Sequence, residues 1–174
     1  MDITLIRASE SDQVMLTNLL HLYVHDFSEF VGIVPNEQGW FTYPNLALYW
    51  QDPDRTPFLI RAGSDLAGFA LTSRGSLITG DREVFDLAEF FVVRGLRRRG
   101  VGQAAASAIF SELRGSWEVR VIGSNRPAQG FWRSAIGQYT SGHFTIDPWA
   151  CERSADGHVL RFTSRGPQDG SGAA

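Results

Sequence analysis

Glu89-Phe90-Phe91-Val92-Val93-Arg94-Gly95-Leu96-Arg97-Arg98-Arg99-Gly100-Val101-Gly102-Gln103 is the stretch on which the fold turns. An apolar run of strand character, Glu83 to Val93, enters a turn of arginine and glycine. That turn opens onto an alanine-rich segment, Val101 to Leu113, whose apolar residues share one helical face. The first N–H groups of a helix have no partner within it and point outward. The helix dipole adds about half a positive charge at the same place. Gly100 and Gly102 let the backbone come close to a ligand. Strand, basic glycine turn and helix, in that order, describe an anion site suited to a pyrophosphate. An Arg/Gly turn can also be a solvated turn and nothing more, but the order of elements argues against that. The stretch is not a Walker A loop, because the Gly-Lys-Ser/Thr ending is missing, and it is not the dinucleotide Gly-x-Gly-x-x-Gly.

Outward from this segment, strands and helices alternate. Ile3–Arg7 reads as a strand. Val14 to Phe30 has apolar residues three and four apart and reads as a helix capped near Ser9 or Ser11 and ended by Gly32. A second, short helix is expected from Pro44 to Gln51. Pro57–Ala62 and Leu66–Thr72 form a hairpin around Gly63-Ser64-Asp65. After the Val101 helix come a strand, Trp117 to Ile122, a helix, Pro127 to Ile136, and two late strands near Gln138 to Ile146 and His158 to Thr163. The β-α-β crossover between Val92 and Ile122 implies a mixed α/β sheet. One domain is expected over residues 1–163, followed by a flexible, Gly/Pro-rich tail at 164–174.

Composition narrows the function classes. The chain has 174 residues, 43% hydrophobic and 20% charged, with a net charge of -3. A nucleic-acid binder usually carries a basic excess, so that class is disfavoured. No apolar run approaches the roughly 18 residues that span a bilayer. The opening Met1-Asp2-Ile3-Thr4 lacks the features of a signal peptide, and the expected location is the cytoplasm. A single cysteine, Cys151, excludes an intrachain disulfide and has no basic partner placed by the sequence. His21 and His25 sit four apart, yet no third ligand is evident, so no metal is expected. All sixteen basic residues are arginine, which fits a GC-rich codon bias.

Arg97-x-x-Gly100-x-Gly102 resembles the Gln/Arg-x-x-Gly-x-Gly/Ala signature of the GCN5-related N-acetyltransferases (GNAT), and Val92 stands where these enzymes place a valine. Asn125-Arg126-Pro127-Ala128-Gln129-Gly130-Phe131-Trp132 is similar to the second motif of that family. The resemblance implies a mostly antiparallel sheet of six to seven strands, splayed at the fourth and fifth, with about four helices around it. It implies acetyl-CoA as donor. Amides from Arg98, Arg99, Gly100, Val101, Gly102 and Gln103 would hold its pyrophosphate, with the Arg97–Arg99 side chains near the 3′-phosphate. Backbone groups of Phe91, Val92 and Val93 would pair with the pantetheine arm, and Asn125 and Trp132 would lie near it. Many members have a tyrosine where Trp132 stands, as the proton donor to the leaving thiolate. An indole N–H does not give up its proton, so either the acid is absent, a CoA thiolate being a tolerable leaving group near neutral pH, or another phenol replaces it: Tyr139, with Tyr23 and Tyr43 as alternatives.

A base is needed because an alkylamine is mostly protonated at neutral pH. Glu89 is the candidate: several members carry a catalytic glutamate three residues before the valine. Strict alternation puts Asp86 on the opposite side of the strand from Glu89. The acceptor site is expected from Asp26, Glu29, Trp40 and Tyr43, where carboxylates beside aromatics suit a cationic amine. The leading function is transfer of acetyl to a primary amine of a small molecule. A protein amine is the main variant and a non-catalytic acyl-CoA-binding module the alternative. The resemblance also offers a homodimer, through the aromatic-rich strands after Tyr139 pairing across a two-fold, and the oligomeric state stays open.

Overall fold

The computed structural model describes residues 2–151 and 154–164, with the side chains of 151, 154 and 155 outside the description. The elements, in order, are β1 (Ile3–Arg7), α1 (Gln13–Val31), α2 (Leu48–Gln51), β2 (Arg55–Ala62), β3 (Asp65–Arg74), β4 (Val84–Val92), α3 (Val101–Glu112), β5 (Ser116–Val121), α4 (Arg126–Tyr139), β6 (Thr145–Cys151) and β7 (Ser154–Thr163). The sheet has seven strands in the order β1-β2-β3-β4-β5-β7-β6. Every neighbouring pair is antiparallel except β4 and β5.

Alternation along the strands gives the sheet two apolar faces, and the helices divide between them. Leu16, Leu19 and Leu20 of α1 pack with Tyr49 on Leu59, Phe69, Leu71 and Phe91. On the other face, Ile109 and Phe110 of α3 and Trp132 and Ile136 of α4 pack on Leu87, Trp117, Val119 and Leu160. Helix α1 enters through Ser9, whose N–H and hydroxyl both donate to the Asp12 carboxylate, and it stops at Gly32, whose φ of 65° is left-handed.

The parallel pair carries the central geometric feature. β4 and β5 are hydrogen-bonded only from Val84–Asp86 to Ser116–Glu118. Beyond that point β4 runs on to Val92 and β5 to Val121 without pairing, so the sheet splays into a slot.

Three sequence expectations change. The helix expected from Pro44 shrinks to Leu48–Gln51, because residues 45–50 first close turns of the i→i+3 kind. The strand expected at Gln138–Ile146 starts only at Thr145. Helix α4 continues through Tyr139, then Ser141 and Gly142 take left-handed conformations that reverse the chain. Ser164, read as the head of the tail, is buried, its N–H donating to the Gly115 carbonyl and its Oγ accepting from the Gly115 N–H; the remainder of that tail and the Cys151 side chain lie outside the description. Among the described residues, no helix is long and apolar enough to cross a membrane.

Candidate active site

The turn after β4 is built as an open cradle. Arg98 has φ 60° and Gly100 φ 82°, both left-handed. For a non-glycine residue that conformation costs of order 1 kcal/mol or more. Helix α3 has no side-chain cap, and its first internal bond runs from the Ala104 N–H to the Gly100 carbonyl. Among the described residues, the N–H groups of 98–103 therefore have no partner. A Cβ built at Gly100 meets nothing within 4 Å, so the space in front of the cradle is open. Gly102 meets a further requirement: a Cβ there would press on the Phe131 ring at 3.1 Å, so it also lets α3 lie close to α4. Arg98 and Arg99 are exposed, without a carboxylate partner among the described residues. Arg97 is tied down, its Nε donating to the Val92 carbonyl at 2.7 Å and its Nη2 to Asp26 at 2.6 Å.

Inside the slot, β4 presents Glu89. The β3–β4 register shifts between Leu71 and Thr72, which face Glu89 and Leu87, so Ala88 is an extra residue. A β-bulge of this kind breaks the period of two. Phe85 and Leu87 belong to the α3/α4 face, whereas Glu89, Phe91 and Val93 look toward α1. The bulge thus brings Asp86 and Glu89 to the same face, correcting the strict alternation read from sequence. Tyr23 of α1 donates to Glu89 Oε2, and Tyr43, from the loop before α2, donates to Oε1 at 3.0 Å. Burial raises the Glu89 carboxyl to about 6, against the lowering pull of the two phenols and of Arg120. Burial also pushes both phenols well above their ordinary range, so they remain donors. Asp86, fully buried, is held by two bonds of 2.9 Å from Arg120 of β5. That pair closes the slot at its base.

An anion cradle at a helix N-terminus, a splayed parallel pair and a carboxylate with a raised pKa facing the splay form one connected site. The profile of the Acetyltransferase (GNAT) family matches residues 16–137, which include all three. The chain belongs to the GNAT acetyltransferase family. It is accordingly an acyltransferase enzyme. Solved structures share the fold at low identity. An acetyltransferase from Thermus thermophilus matches with TM-score 0.67 at 17% identity, covering 94% of this chain and 97% of that one. A spermidine N-acetyltransferase from Vibrio cholerae, in complex with CoA and spermine, matches with TM-score 0.64 at 11% identity over 93% and 95%. The Salmonella typhimurium protein yncA with its cofactor acetyl-CoA matches with TM-score 0.63 at 15% identity over 98% and 99%. No curated protein sequence matches the chain.

The GNAT fold places the remaining expected residues unevenly. Tyr139 ends α4, its hydroxyl 3.3 Å from Ser111 Oγ and its ring on Phe110 and Phe162. It lies on the α3/α4 face, across the sheet from Glu89, so the structure does not bring the two together. Trp132 is only 6% exposed and packs edge-on against Phe90 and Phe131 in the core. Asn125 caps α4, its side chain accepting from the Ala128 N–H at 3.1 Å, with Pro127 early in the helix as the sequence Asn-x-Pro allows. Val93 N–H pairs with Ala67 of β3, and the Val92 carbonyl accepts from Arg97, so a pantetheine amide at Val92 would share that carbonyl with the guanidinium through its second lone pair. Asp26 does not face an acceptor: Arg94 and Arg97 reach it at 2.8 and 2.6 Å. Burial alone would raise its pKa, but those two bonds hold it below the usual carboxylate value. Glu29 is exposed beside Arg94. Trp40 stands edge-on to His21 at 4.7 Å, in a surface groove of about 360 Å³ on the outer side of α1. Arg120 is the site residue that the sequence reading missed. Its only signal was an arginine at a position that alternation places on the sheet face opposite the apolar side chains of β5.

Proposed function

We propose that this GNAT enzyme transfers an acetyl group from acetyl-CoA to a primary amine of a small molecule, with Glu89 as general base. The observation that carries the reading is the position of Glu89. It faces the β4–β5 splay, held by two phenols, on a strand whose end opens directly into the α3 cradle. The cradle fits a diphosphate: open space at Gly100, and, among the described residues, amides without partners and the exposed Arg98 and Arg99 guanidinium groups without a carboxylate. The Vibrio cholerae and Salmonella typhimurium proteins, which hold CoA or acetyl-CoA on the same fold, support the choice of donor. The spermidine N-acetyltransferase supports an amine as acceptor.

Acetyl-CoA supplies an activated acyl carbon. The chain supplies orientation and a proton acceptor. A carboxylate that accepts from Tyr23 and Tyr43 still has free lone pairs on both oxygens. It takes the proton lost by the amine nitrogen, directly or through one water, as the C–N bond forms and the C–S bond breaks. The thiolate is a tolerable leaving group near neutral pH, so the reaction needs no phenol as acid.

Glu89 must be ionised to act. With its pKa raised to about 6, the ionised fraction falls as pH drops through that value. The expected result is a kcat/KM that rises with an ascending limb near pH 6 and flattens above it, measured by thiol release from acetyl-CoA over a panel of primary amines. A rate independent of pH between 5 and 7 contradicts the assignment of Glu89 as base, and no thiol release with any amine contradicts the function.

A further inference from the structure

Tyr23, Phe27 and Phe30 fall at i, i+4 and i+7 on α1 and so share a face. Tyr23 stacks on Phe27 at 5.6 Å and Phe27 meets Phe30 at 6.3 Å. Tyr23 also packs on the α1-side core and holds Glu89. Phe27 and Phe30 are half-buried and, among the described residues, join none of the three core clusters. The two half-buried rings continue the face of Tyr23 along the helix, away from the core clusters, as an aromatic wall. Their position follows from the ends of the helix. At Tyr23 the helix is over Glu89 of β4. At Phe30 its carbonyl accepts from Ser124 Oγ at 3.2 Å, and Ser124 lies just past β5. Seven residues of helix cover roughly 10 Å. The segment therefore crosses the mouth of the splay, with Phe27 above it.

Carboxylates at this mouth are largely engaged, which gives a polycation little to bind. The turn contributes four arginines, Arg94 and Arg97–Arg99. Asp26, the acid on α1 that a cation would seek, is engaged by two of them. Glu29 stands exposed beside Arg94, and along the face of Tyr23 an acceptor meets the Phe27–Phe30 wall leading to Glu89.

Resting on the acetyltransferase reading above, we infer that the acceptor is an arylalkylamine: a primary amine on a short aliphatic arm, with its ring against Phe27 and Phe30 and its nitrogen at Glu89. Ring-on-ring contact of this kind is selective for flat apolar groups, and each well-packed pair adds a modest increment beyond area burial.

The probes are phenethylamine, ethylamine and spermidine, with acetyl-CoA and thiol release as readout. The expected kcat/KM for phenethylamine is at least tenfold above that for either other amine. In Phe27→Ala and Phe30→Ala the phenethylamine-to-ethylamine ratio of kcat/KM should fall about tenfold, and Phe27→Leu, which keeps bulk without a flat ring, should fall between. Because each enzyme serves as its own reference, partial loss of folded protein cancels from the ratio. Equal or better use of spermidine, or a ratio unmoved by both alanine variants, overturns the aryl assignment and leaves the acetyltransferase reading standing. If no amine is turned over, the acetyltransferase reading fails, and calorimetric binding of phenethylamine to wild type and Phe27→Ala still decides the wall: a tenfold weaker variant supports it, and equal affinity or no binding overturns it.

Discussion

Glu89→Gln is expected to lower kcat/KM by about 10²- to 10⁴-fold, the usual contribution of a positioned general base. Glutamine keeps the length and planarity of the side chain. Its amide oxygen can still accept from one of the two phenols, and its NH₂ can donate to the other hydroxyl, so the local packing of Tyr23 and Tyr43 survives. What it cannot do is accept a proton. The ascending limb near pH 6 should disappear with the carboxylate. Affinity for CoA should change little, because Glu89 faces α1 while the cradle lies beyond the end of β4. A variant that turns over at the wild-type rate would remove Glu89 from the chemistry and leave it as a hydrogen-bond acceptor for two tyrosines.

The second large effect is on stability. Asp86→Ala deletes a fully buried carboxylate and leaves the Arg120 guanidinium, 18% exposed, without its bidentate partner. Removing one member of a buried pair typically costs about 3–5 kcal/mol, because the remaining charge stays desolvated. For a domain of this size each kcal/mol lowers Tm by about 2–4 °C, so the expected drop is on the order of 10 °C in a thermal melt. The stacking of Arg120 over Trp149 at 5.3 Å softens the loss without replacing the two bonds. The double variant Asp86→Ala/Arg120→Leu should recover part of the loss, since it removes the orphaned charge. Activity carries a further signature. Asp86 raises the Glu89 pKa and Arg120 lowers it, so in the Asp86→Ala enzyme the ascending limb should move to lower pH. A melt within about 2 °C of wild type, the lower bound for one kcal/mol, or an unmoved limb, would contradict this account of the slot's base.

How much of this was legible in the sequence depends on the element. The cradle was, because a hydrophobic strand, an Arg/Gly turn and an Ala-rich helix leave few other arrangements, and Gly100 does adopt a left-handed φ. Its partner Gly102 was legible as a requirement for a small residue but not in its reason, since contact with Phe131 depends on how α3 crosses α4. The identity of Glu89 as a candidate came through, whereas its face did not. One inserted residue at Ala88 reverses the alternation, and nothing in Phe85-Asp86-Leu87-Ala88-Glu89 announces a bulge. The Asp86–Arg120 pair was hidden for the same reason. Asp26 looked available on its helix because the arginines that claim it come from a turn 68 and 71 residues away. Tyr139 is the phenol nearest after Trp132 in the chain, but α4 carries it along the opposite side of the sheet and into the core around Phe110. Long-range pairing, in each of these cases, decided what local pattern could not.

The most direct test of the site is a calorimetric titration of CoA into the wild type, Gly100→Asp and Gly100→Asn. Asp and Asn both tolerate the left-handed conformation required at φ 82°, and they differ only by a negative charge pointed into the open space where a diphosphate would bind. The account predicts measurable binding to the wild type, at least a hundredfold loss in Gly100→Asp, and a much smaller loss in Gly100→Asn. Equal affinity for CoA in the aspartate and asparagine enzymes would contradict it.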